Sequence, residues 1–332
     1  MSFRRFDRSD AERFEQQILA PAATRSTGSR GRDRPEDPDE FRTAFERDRD
    51  RILHSKAFRR LKHKTQVFIN PEGDHFVTRL THTLQVTQIG RALARYLSLN
   101  EALTEAICLG HDVGHSPFGH TGEDALSPYV EGEWLHSTQS VRVLQVLEPL
   151  NLSWEVVDGI RAHSWKIEPP PETPEGYLCR FADRIAYLTH DALDALRAGV
   201  LTRDEIPAAA LGAFGEPGSD WIGTMIRAVV DESLRTGRIG MDPGTLAVMH
   251  ELRDFMFERV YLRPGSEHQR SWAIGIIRDL VDHYLEKPDE IPESYRHAEA
   301  DIGTQVIDYV SGMTDRFAIR DHDRLFRPDG VG

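Results

Sequence analysis

From Leu80 onward the apolar residues recur at the spacing of an α-helix, and this periodicity constrains the fold more than any other feature of the sequence. One stripe follows the order i, i+4, i+7 and i+11 through His82, Val86, Ile89 and Leu93. Its histidine therefore lies on the face that a helix buries. Neither an internal repeat nor a sustained alternation of strands and helices is visible, so the sequence predicts an all-α, mainly helical fold.

Further helices, loops and one small hairpin follow from local signals. One helix begins near Glu101 and ends at the glycine-containing break 110–114, and another covers about 176–197. The last third, 222–318, is again predicted to be helical. Proline- and glycine-rich segments predict loops at 167–176, 211–221, 263–268 and 287–294. The β-prone segment TQVFINPEGDHFVT (65–78) predicts a small β-hairpin.

Composition divides the chain into three parts. Residues 1–50 hold 23 charged residues and a segment rich in serine, glycine and arginine, so residues 1–45 are predicted to form an extended or partly ordered arm. Residues 46–200 hold most of the histidines and are predicted to form the catalytic core. Residues 201–332 are predicted to form a helical region packed on that core.

The charge balance and the cysteine content exclude several classes of protein. The chain carries 41 basic and 54 acidic side chains, a formal net charge of −13, whereas a general nucleic-acid-binding protein has a basic excess. No segment approaches the roughly 20 apolar residues of a membrane span, and the first residues lack the apolar region of a signal peptide. Only Cys108 and Cys179 are present, which rules out a disulfide framework. These features predict a soluble, cytoplasmic protein.

Histidines and carboxylates concentrate in a pattern that indicates metal-dependent chemistry. Eight of the 15 histidines lie between positions 54 and 136, and LGHDVGHSPFGHTGED (109–124) crowds several into one turn region. On a later helix, polar residues follow the apolar stripe at helical spacing: Asp183, Tyr187, Asp191 and Asp194. Buried carboxylates are costly unless a cation or hydrogen bonds offset the charge. A divalent metal bound by imidazole and oxygen ligands would do so, and the low cysteine content argues against a thiolate zinc site.

Seven segments together resemble the HD-domain deoxynucleoside triphosphate triphosphohydrolases, in particular the bacterial dGTPase-like group. They are SRGR (29–32), RDRDRILHSKAFRRLKHKTQVF (47–68), RLTHTLQV (79–86), LGHDVGHSPFGHTGED (109–124), WLHSTQSVRVL (134–144), ADRIAYLTHD (182–191) and YVSGMTDRFA (309–318). The resemblance covers most of residues 25–325 and implies a helical HD domain within the predicted core.

The resemblance also implies a reaction and a cofactor. Water would attack the α-phosphorus of dGTP or another dNTP and release the deoxynucleoside and inorganic triphosphate. One divalent metal ion, which can be Mn, Mg, Fe, Ni or Zn, would polarise the phosphoryl oxygen. The metal ligands implied by the family signature are His82, His111, Asp112 and Asp183.

The same resemblance implies roles for residues that do not bind the metal. The catalytic residues are His115, His120, Glu123 and His136, with His120 and Glu123 as an acid–base couple. The substrate-binding residues are Gln66 at the sugar 3′-hydroxyl, Arg79 and Arg184 at the phosphates, and Tyr187 and Asp191 around the deoxyribose. A tyrosine ring in the space of a 2′-hydroxyl would favour dNTPs over NTPs.

Two other functions stay open at this point. One is an HD phosphohydrolase that acts on another nucleotide phosphoester, and the other is a nucleotide-sensing or single-stranded nucleic-acid-binding protein. The sequence does not select the base, the metal or a dNTP activator. The resemblance implies a homo-oligomer without fixing the number of subunits.

Overall fold

A computed structural model describes residues 3–66, 76–263, 267–297 and 299–327, and within these ranges nearly all regular structure is helical. The predicted all-α class is therefore confirmed. Thr65 and Thr78 form an isolated antiparallel bridge at the base of the predicted hairpin. The rest of that hairpin falls on residues 67–75, outside the described residues. In the described part of the chain, no helix is long and apolar enough to cross a membrane.

The helices follow one another along the whole chain. They are α1 (Arg8–Ile18), α2 (Ala44–His54), α3 (Lys56–Arg60), α4 (Arg79–Tyr96), α5 (Glu101–Gly110), α6 (His120–Leu126), α7 (His136–Arg142), α8 (Trp154–Arg161), α9 (Pro174–Arg197), α10 (Ala208–Phe214), α11 (Ser219–Thr236), α12 (Pro243–Met256), α13 (Glu267–Glu286), α14 (Ile302–Ser311) and α15 (Asp315–Phe326). Short π-helical turns extend α7 over Val143–Leu147 and α12 over Phe257–Tyr261.

The helices α5 and α9 each begin directly after an N-cap residue whose side chain accepts a backbone N–H of the first turn. The side chain of Asn100 accepts the amide N–H of Leu103 at the start of α5. Thr173 caps α9 in the same way, and Pro174 occupies its first position, where a missing N–H costs nothing. Both helices match their sequence predictions to within a few residues.

The loop predicted over 211–221 is wrong in most of its length. α10 continues to Phe214 and α11 begins at Ser219, so the connection contains only residues 215–218. Gly215 and Gly218 confine the turn because both have positive φ values, of 83° and 119°. The flanking aromatic residue Trp221 is fully buried and donates its indole N–H to the Gly215 carbonyl at 2.8 Å. The predicted loop is too long because glycines and a proline lie close to the ends of both helices, and residues of these types are typical of loops.

Two other predicted loops are described in part. The segment 287–294 contains two short 3₁₀ turns, Pro288–Glu290 and Glu293–Tyr295. In the predicted loop 263–268, α13 already begins at Glu267, and residues 264–266 lie outside the described residues.

The chain divides into two compact units. The first unit contains the residues up to Ser55 together with 82–111 and 150–261, and the second contains 56–81, 112–149 and the residues from Leu262. The predicted division into an arm, a core and a C-terminal region stays a prediction.

The first unit is built around α5. This helix packs on α2, α8 and α9, and α9 packs in turn on α11 and α12. Buried apolar side chains fill the contacts, among them Leu103, Ile107, Ile160, Leu178 and Ile185. Burial of such side chains from several helices is the main favourable contribution to folding of this unit.

Buried carboxylates of the first unit hold its N-terminal segment. Glu175 accepts the Thr24 amide N–H at 3.0 Å, and Glu155 accepts the Arg30 amide N–H at 2.6 Å. Asp48 forms an ion pair with Arg32. Each carboxylate is thereby paired with donors of a segment that sequence composition predicted as part of an arm.

The second unit is built around α13. This helix packs on α6, α14 and α15. One cluster of buried apolar residues joins them, including Phe118, Leu126, Ile277, Leu280 and Val306. The turn that precedes α6 is thus fixed to the C-terminal helices through Phe118.

We expect replacement of Asp48 by alanine to lower the free energy of unfolding by about 3–5 kcal/mol, because a buried cation would lose its counter-ion. Asp48 is fully buried and also accepts the Ser153 amide N–H at 2.8 Å. Urea unfolding followed by circular dichroism measures the change. The exposed Asp37 is the control, and its alanine variant should differ from wild type by less than about 0.5 kcal/mol. Equal losses in the two variants would contradict the role of the ion pair.

Candidate active site

Three helices of the first unit bring together two histidines and one aspartate. His82 lies on α4, His111 directly follows α5, and Asp183 lies on α9. His82 Nε2 is 3.1 Å and His111 Nε2 is 3.9 Å from the same oxygen, Asp183 Oδ1. Each residue offers one possible ligand atom, and these three atoms all lie within 4.8 Å of one another. The family signature predicted four ligands, these three residues and Asp112, and the structure places the three in one cluster.

The orientation of His111 is set by its own helix. Its Nδ1–H donates to the Cys108 carbonyl at 2.6 Å, and the side chain is fully buried. A neutral imidazole that carries its proton on Nδ1 presents the lone pair of Nε2. Such a backbone hydrogen bond on the second ring nitrogen is the usual support of a metal-binding histidine.

A third histidine, His163, belongs to this cluster and was not predicted from the sequence. Its ring lies 5.0 Å from that of His111, between centroids, in an edge-to-face arrangement. Its Nδ1–H donates to the Ile160 carbonyl at 2.7 Å, so it repeats the backbone support of His111. An isolated histidine after α8 carries no sequence signal, because only the packing of α8 against α5 brings it here.

Asp183 is held in its ionised form. Partial burial would raise the pKa of its carboxyl, but the hydrogen bond with His82 and the nearby His111 and His163 hold that pKa well below its usual range. An ionised carboxylate with neutral imidazoles is a donor set that first-row divalent metals accept. The donors of this cluster therefore fit a divalent metal ion.

The residues after Asp183 on α9 extend the same surface. The Arg184 guanidinium lies over the Trp165 ring, 4.1 Å from its centroid, and Trp165 donates its indole N–H to the Arg180 carbonyl at 3.1 Å. This stacking fixes the direction of Arg184. Burial raises the pKa of Tyr187 to about 12, so its hydroxyl remains a hydrogen-bond donor.

Asp191 has a partner that sequence reasoning missed. It is buried on α9 and accepts a hydrogen bond from the Tyr261 hydroxyl at 2.5 Å. Burial, reinforced by Asp191, raises the pKa of Tyr261 well above its usual range. Tyr261 lies at the end of the π-helical turn after α12, 70 residues from Asp191, and no local pattern links the two.

The second unit contains a cluster of its own, formed around Asp112. Asp112 Oδ1 is 3.3 Å from His115 Nε2 and 3.8 Å from His136 Nε2, and its other oxygen accepts a hydrogen bond from Arg79 Nη1 at 2.7 Å. Arg79 is the first residue of α4, and its side chain is almost fully buried. A buried, paired arginine of this kind is fixed in position rather than solvated.

Glu123 joins two of the histidines. His136 Nδ1 donates to one carboxylate oxygen at 2.6 Å, and His120 Nδ1 donates to the other at 2.9 Å. The predicted couple of His120 and Glu123 is therefore present as a contact, but the same carboxylate also binds His136. The His120 side chain is 62% exposed, whereas that of Glu123 is only 13% exposed.

The pKa values of the residues in this cluster are shifted in different directions. Burial would raise the pKa of Glu123, but His136 and His120 hold it well below its usual range. Burial would lower the pKa of His136, yet the adjacent Glu123 raises it. Burial, reinforced by the charges of Arg79 and His136, lowers the pKa of His115 well below its usual range. The cluster thus holds one histidine that favours a proton and one that disfavours it.

A metal ion does not fit this second cluster as well as the first, although Asp112, His115 and His136 lie close enough together. The rings of His115 and His136 stack with centroids 3.8 Å apart and planes inclined by only 12°. An imidazole nitrogen binds a metal in the plane of its ring, and one ion cannot lie in two nearly parallel, separated planes. The arrangement suits proton transfer better than metal binding.

Two glycines permit the close packing of this cluster. Gly119 precedes α6 with φ of +59°, and a Cβ there would lie 2.9 Å from Arg79 Nη2. At Gly114 a Cβ would lie 2.1 Å from the Ser140 backbone nitrogen. Because these approaches involve the backbone of α7 and the arginine beside Asp112, larger residues would displace the cluster.

Gln66, the remaining predicted site residue, also belongs to the second unit. Its Oε1 atom is buried, and its backbone carbonyl lies 3.6 Å from the position of a Cβ on Gly119. The predicted site residues thus form two sets, one in each compact unit. The first set is His82, His111, Asp183, Arg184, Tyr187 and Asp191, and the second is Gln66, Arg79, Asp112, His115, His120, Glu123 and His136.

Comparison with known proteins gives matches along nearly the whole chain. Residues 79–188 match the HD domain family, and residues 239–324 match the family described as phosphohydrolase-associated domain. A deoxyguanosinetriphosphate triphosphohydrolase-like protein of Caldanaerobacter subterraneus subsp. tengcongensis is 44% identical, over 97% of this chain and 96% of that protein. Proteins of the same name are 46% identical in Desulfatibacillum aliphaticivorans, over 96% of this chain and 98% of the relative, and 42% identical in Clostridium perfringens, over 98% of both.

The geometry of the first cluster predicts how its aspartate contributes to metal binding. We expect Asp183→Asn to weaken binding of Mn²⁺ by more than about 100-fold, since loss of a direct ligand exceeds the 10–100-fold effect of a supporting residue. Equilibrium dialysis measures it. Asp194→Asn is the control because Asp194 lies on the same helix, is more deeply buried than Asp183 and pairs with Arg197. Unchanged Mn²⁺ affinity in Asp183→Asn would remove this residue from the ligand set.

Proposed function

Because the chain belongs to the HD-domain family of deoxyguanosinetriphosphate triphosphohydrolase-like proteins, we propose that it is a metal-dependent dNTP triphosphohydrolase. This membership confirms the family and the hydrolase class that the sequence motifs predicted. The proposed reaction is attack of water at the α-phosphorus of dGTP or another dNTP, with release of the deoxynucleoside and inorganic triphosphate. The observation that carries the proposal is the convergence of His82, His111 and Asp183 within the HD match.

The proposed metal ligands are the three residues of the first cluster together with Asp112. Asp112 is added by the sequence motif, because it follows His111 in the His-Asp pair of the family signature. When bound, a divalent ion such as Mn, Mg, Fe, Ni or Zn would polarise a phosphoryl oxygen and lower the pKa of a bound water. The backbone hydrogen bond of His111 and the ionised state of Asp183 support this assignment.

The proposed proton-transfer group is the cluster of His115, His120, Glu123 and His136. His136 favours its protonated form because Glu123 accepts its Nδ1–H, so it is suited to give a proton to the departing 5′-oxygen. His115 is held neutral and is suited to accept a proton. His120 is the exposed partner of the same carboxylate and can exchange protons with solvent.

The proposed phosphate-binding residues are Arg79 and Arg184. A triphosphate brings about four negative charges to a chain of net charge −13, so fixed local cations are required. The ion pair with Asp112 orients Arg79, and stacking on Trp165 orients Arg184. Orientation before binding reduces the entropy lost when the phosphates are bound.

The proposed sugar-binding residues are Gln66, Tyr187 and Asp191. Tyr187 is partly buried and its raised pKa keeps it a neutral phenol, so its ring can exclude a 2′-hydroxyl by shape. Asp191 is oriented by the Tyr261 hydroxyl. The homo-oligomer implied by the resemblance remains a prediction, and the sequence does not determine whether a second dNTP acts as an activator.

The decisive experiment is product analysis. The purified protein is incubated with Mn²⁺ and each dNTP, singly and in mixtures, and the phosphate product is identified by ³¹P NMR. Inorganic triphosphate supports the proposal. Orthophosphate or pyrophosphate would favour an HD phosphohydrolase for another phosphoester, and absence of any product would favour a nucleotide-sensing or nucleic-acid-binding protein.

Because His120 and His136 share the Glu123 carboxylate, we expect substitutions in the proton-transfer cluster to lower kcat without loss of metal. His120→Ala and Glu123→Gln should each lower kcat by about 10²–10⁴, the usual contribution of a positioned acid or base, while Mn²⁺ content stays at the wild-type level. The double variant should be little worse than the more affected single variant, because coupled residues are not additive. Single-turnover rates and metal analysis measure both quantities. Loss of metal in His120→Ala would instead make this histidine a ligand or its structural support.

Sugar selectivity can be tested at Tyr187. We expect Tyr187→Ala to raise the ratio of kcat/KM for GTP over dGTP by about tenfold or more, since space for the 2′-hydroxyl opens beside α9. Tyr187→Phe keeps the ring and should keep the ratio close to that of wild type. Equal ratios in all three proteins would transfer the discrimination to Gln66 or Asp191.

A further inference from the structure

The turn that carries the proposed proton-transfer histidines has a strained backbone. Phe118 and Gly119 have successive positive φ values of 60° and 59°, directly before His120 begins α6. A bulky residue in this region is strained and persists only where its surroundings enforce the conformation. The Phe118 ring is buried in the cluster formed with α13, and this is one such constraint.

A carboxylate of the C-terminal region provides a second constraint on the same turn. Asp315, the first residue of α15, accepts the Phe118 amide N–H on Oδ1 at 3.1 Å. Its other oxygen accepts the Thr65 amide N–H at 3.0 Å and also the Thr65 hydroxyl. Asp315 is only 6% exposed, so these hydrogen bonds are made where water competes little.

A buried lysine binds the start of the turn. Lys64 is 2% exposed, and its Nζ donates to the His115 carbonyl and, at 3.1 Å, to the Ser311 carbonyl at the end of α14. Two consecutive residues, Lys64 and Thr65, therefore connect the turn to the segment between α14 and α15. The amide of Phe118 and the carbonyl of His115 are both fixed by groups outside the turn.

We propose that Asp315, assisted by Lys64, is a positioning residue that holds the turn 115–119 so that His115 and His120 keep their places around Glu123. The inference rests on the proposed function, because it assigns importance to histidines whose role is proposed there. It assigns a role to the C-terminal segment 239–324, which matches the phosphohydrolase-associated domain. This segment contains Ser311 and Asp315 but none of the proposed metal, catalytic or substrate-binding residues. All the hydrogen bonds on which this role depends lie within the second unit.

The test compares two buried aspartates of one helix. Asp315→Asn replaces one of the two acceptor oxygens by an NH2 group, so either the Phe118 amide or the two Thr65 donors lose their acceptor. Asp321→Asn is the matched control, because Asp321 lies on α15, is 7% exposed and accepts hydrogen bonds from Tyr284 and Arg324. Thr65→Val, which removes one donor with little change of shape, is a milder variant in case Asp315→Asn does not fold.

Two measurements are made on the full chain with Mn²⁺. With the dNTP that the wild type hydrolyses fastest, we expect Asp315→Asn to lower kcat by about 10–100-fold with KM changed by less than about threefold. Thr65→Val should lower kcat by a smaller factor. Hydrogen–deuterium exchange of the peptide covering residues 114–120 should become about tenfold faster in Asp315→Asn. Asp321→Asn should change neither quantity in this way.

The outcomes separate this inference from the proposed function. Faster exchange with a lowered kcat, both absent in Asp321→Asn, supports the positioning role. Unchanged exchange overturns it, and so does faster exchange with an unchanged kcat. Equal loss of activity in both aspartate variants would also overturn it, since general destabilisation would explain the result. If the wild type hydrolyses no dNTP, the proposed function fails and the catalytic part of this inference with it, whereas the exchange data still decide whether Asp315 holds the turn.

Discussion

Compensation of buried charge is the constraint on which both candidate clusters depend. In the first unit, Asp48 and Glu175 are buried carboxylates that serve structure, and burial raises the pKa of each. Glu175 accepts hydrogen bonds from two backbone amides and a hydroxyl, and Asp48 accepts the amide and hydroxyl of Ser153 in addition to its ion pair with Arg32. Asp183 differs because two imidazoles face its carboxylate and lower its pKa despite burial. The two imidazoles, which are possible metal ligands, therefore distinguish Asp183 from carboxylates that anchor the chain through amides, hydroxyls and an arginine.

The helical framework positions these groups with little contribution from loops. His82, His111 and Asp183 come from α4, the end of α5, and α9, and apolar packing of α5 against α9 fixes the distance between two of these elements. Gly90 of α4 has no room for a Cβ, which would lie 2.8 Å from Cys108 Sγ on α5. A ligand set supported on packed helices keeps its geometry better than one on mobile loops.

Sequence reasoning predicted the helices from local periodicity, whereas the predicted members of the clusters came from the resemblance of short motifs to a known family. The stripe of His82, Val86 and Ile89 is a property of one helix, and the His111–Asp112 pair is a property of one turn. The contacts of His163, of Tyr261 and of Glu123 with His136 were not predictable, because tertiary packing alone creates them. The same limit applies to Asp315, which lies 250 residues from Thr65.

The stacked pair of His115 and His136 shows how identical side chains acquire opposite tendencies. His115 is buried, His136 is only partly exposed, and the ring centroids lie 3.8 Å apart, so protonation of one ring disfavours protonation of the other. Glu123 accepts the Nδ1–H of His136 at 2.6 Å, whereas its nearest approach to His115 Nδ1 is 3.6 Å. The pKa of His136 is therefore raised above its usual value by Glu123, whereas burial and the neighbouring charges lower that of His115 well below it. Neighbouring groups whose pKa values are pushed apart in this way are suited to act as acid and base in one reaction. The carboxylate that makes the difference, Glu123, is the residue that the turn 115–119 brings beside both rings.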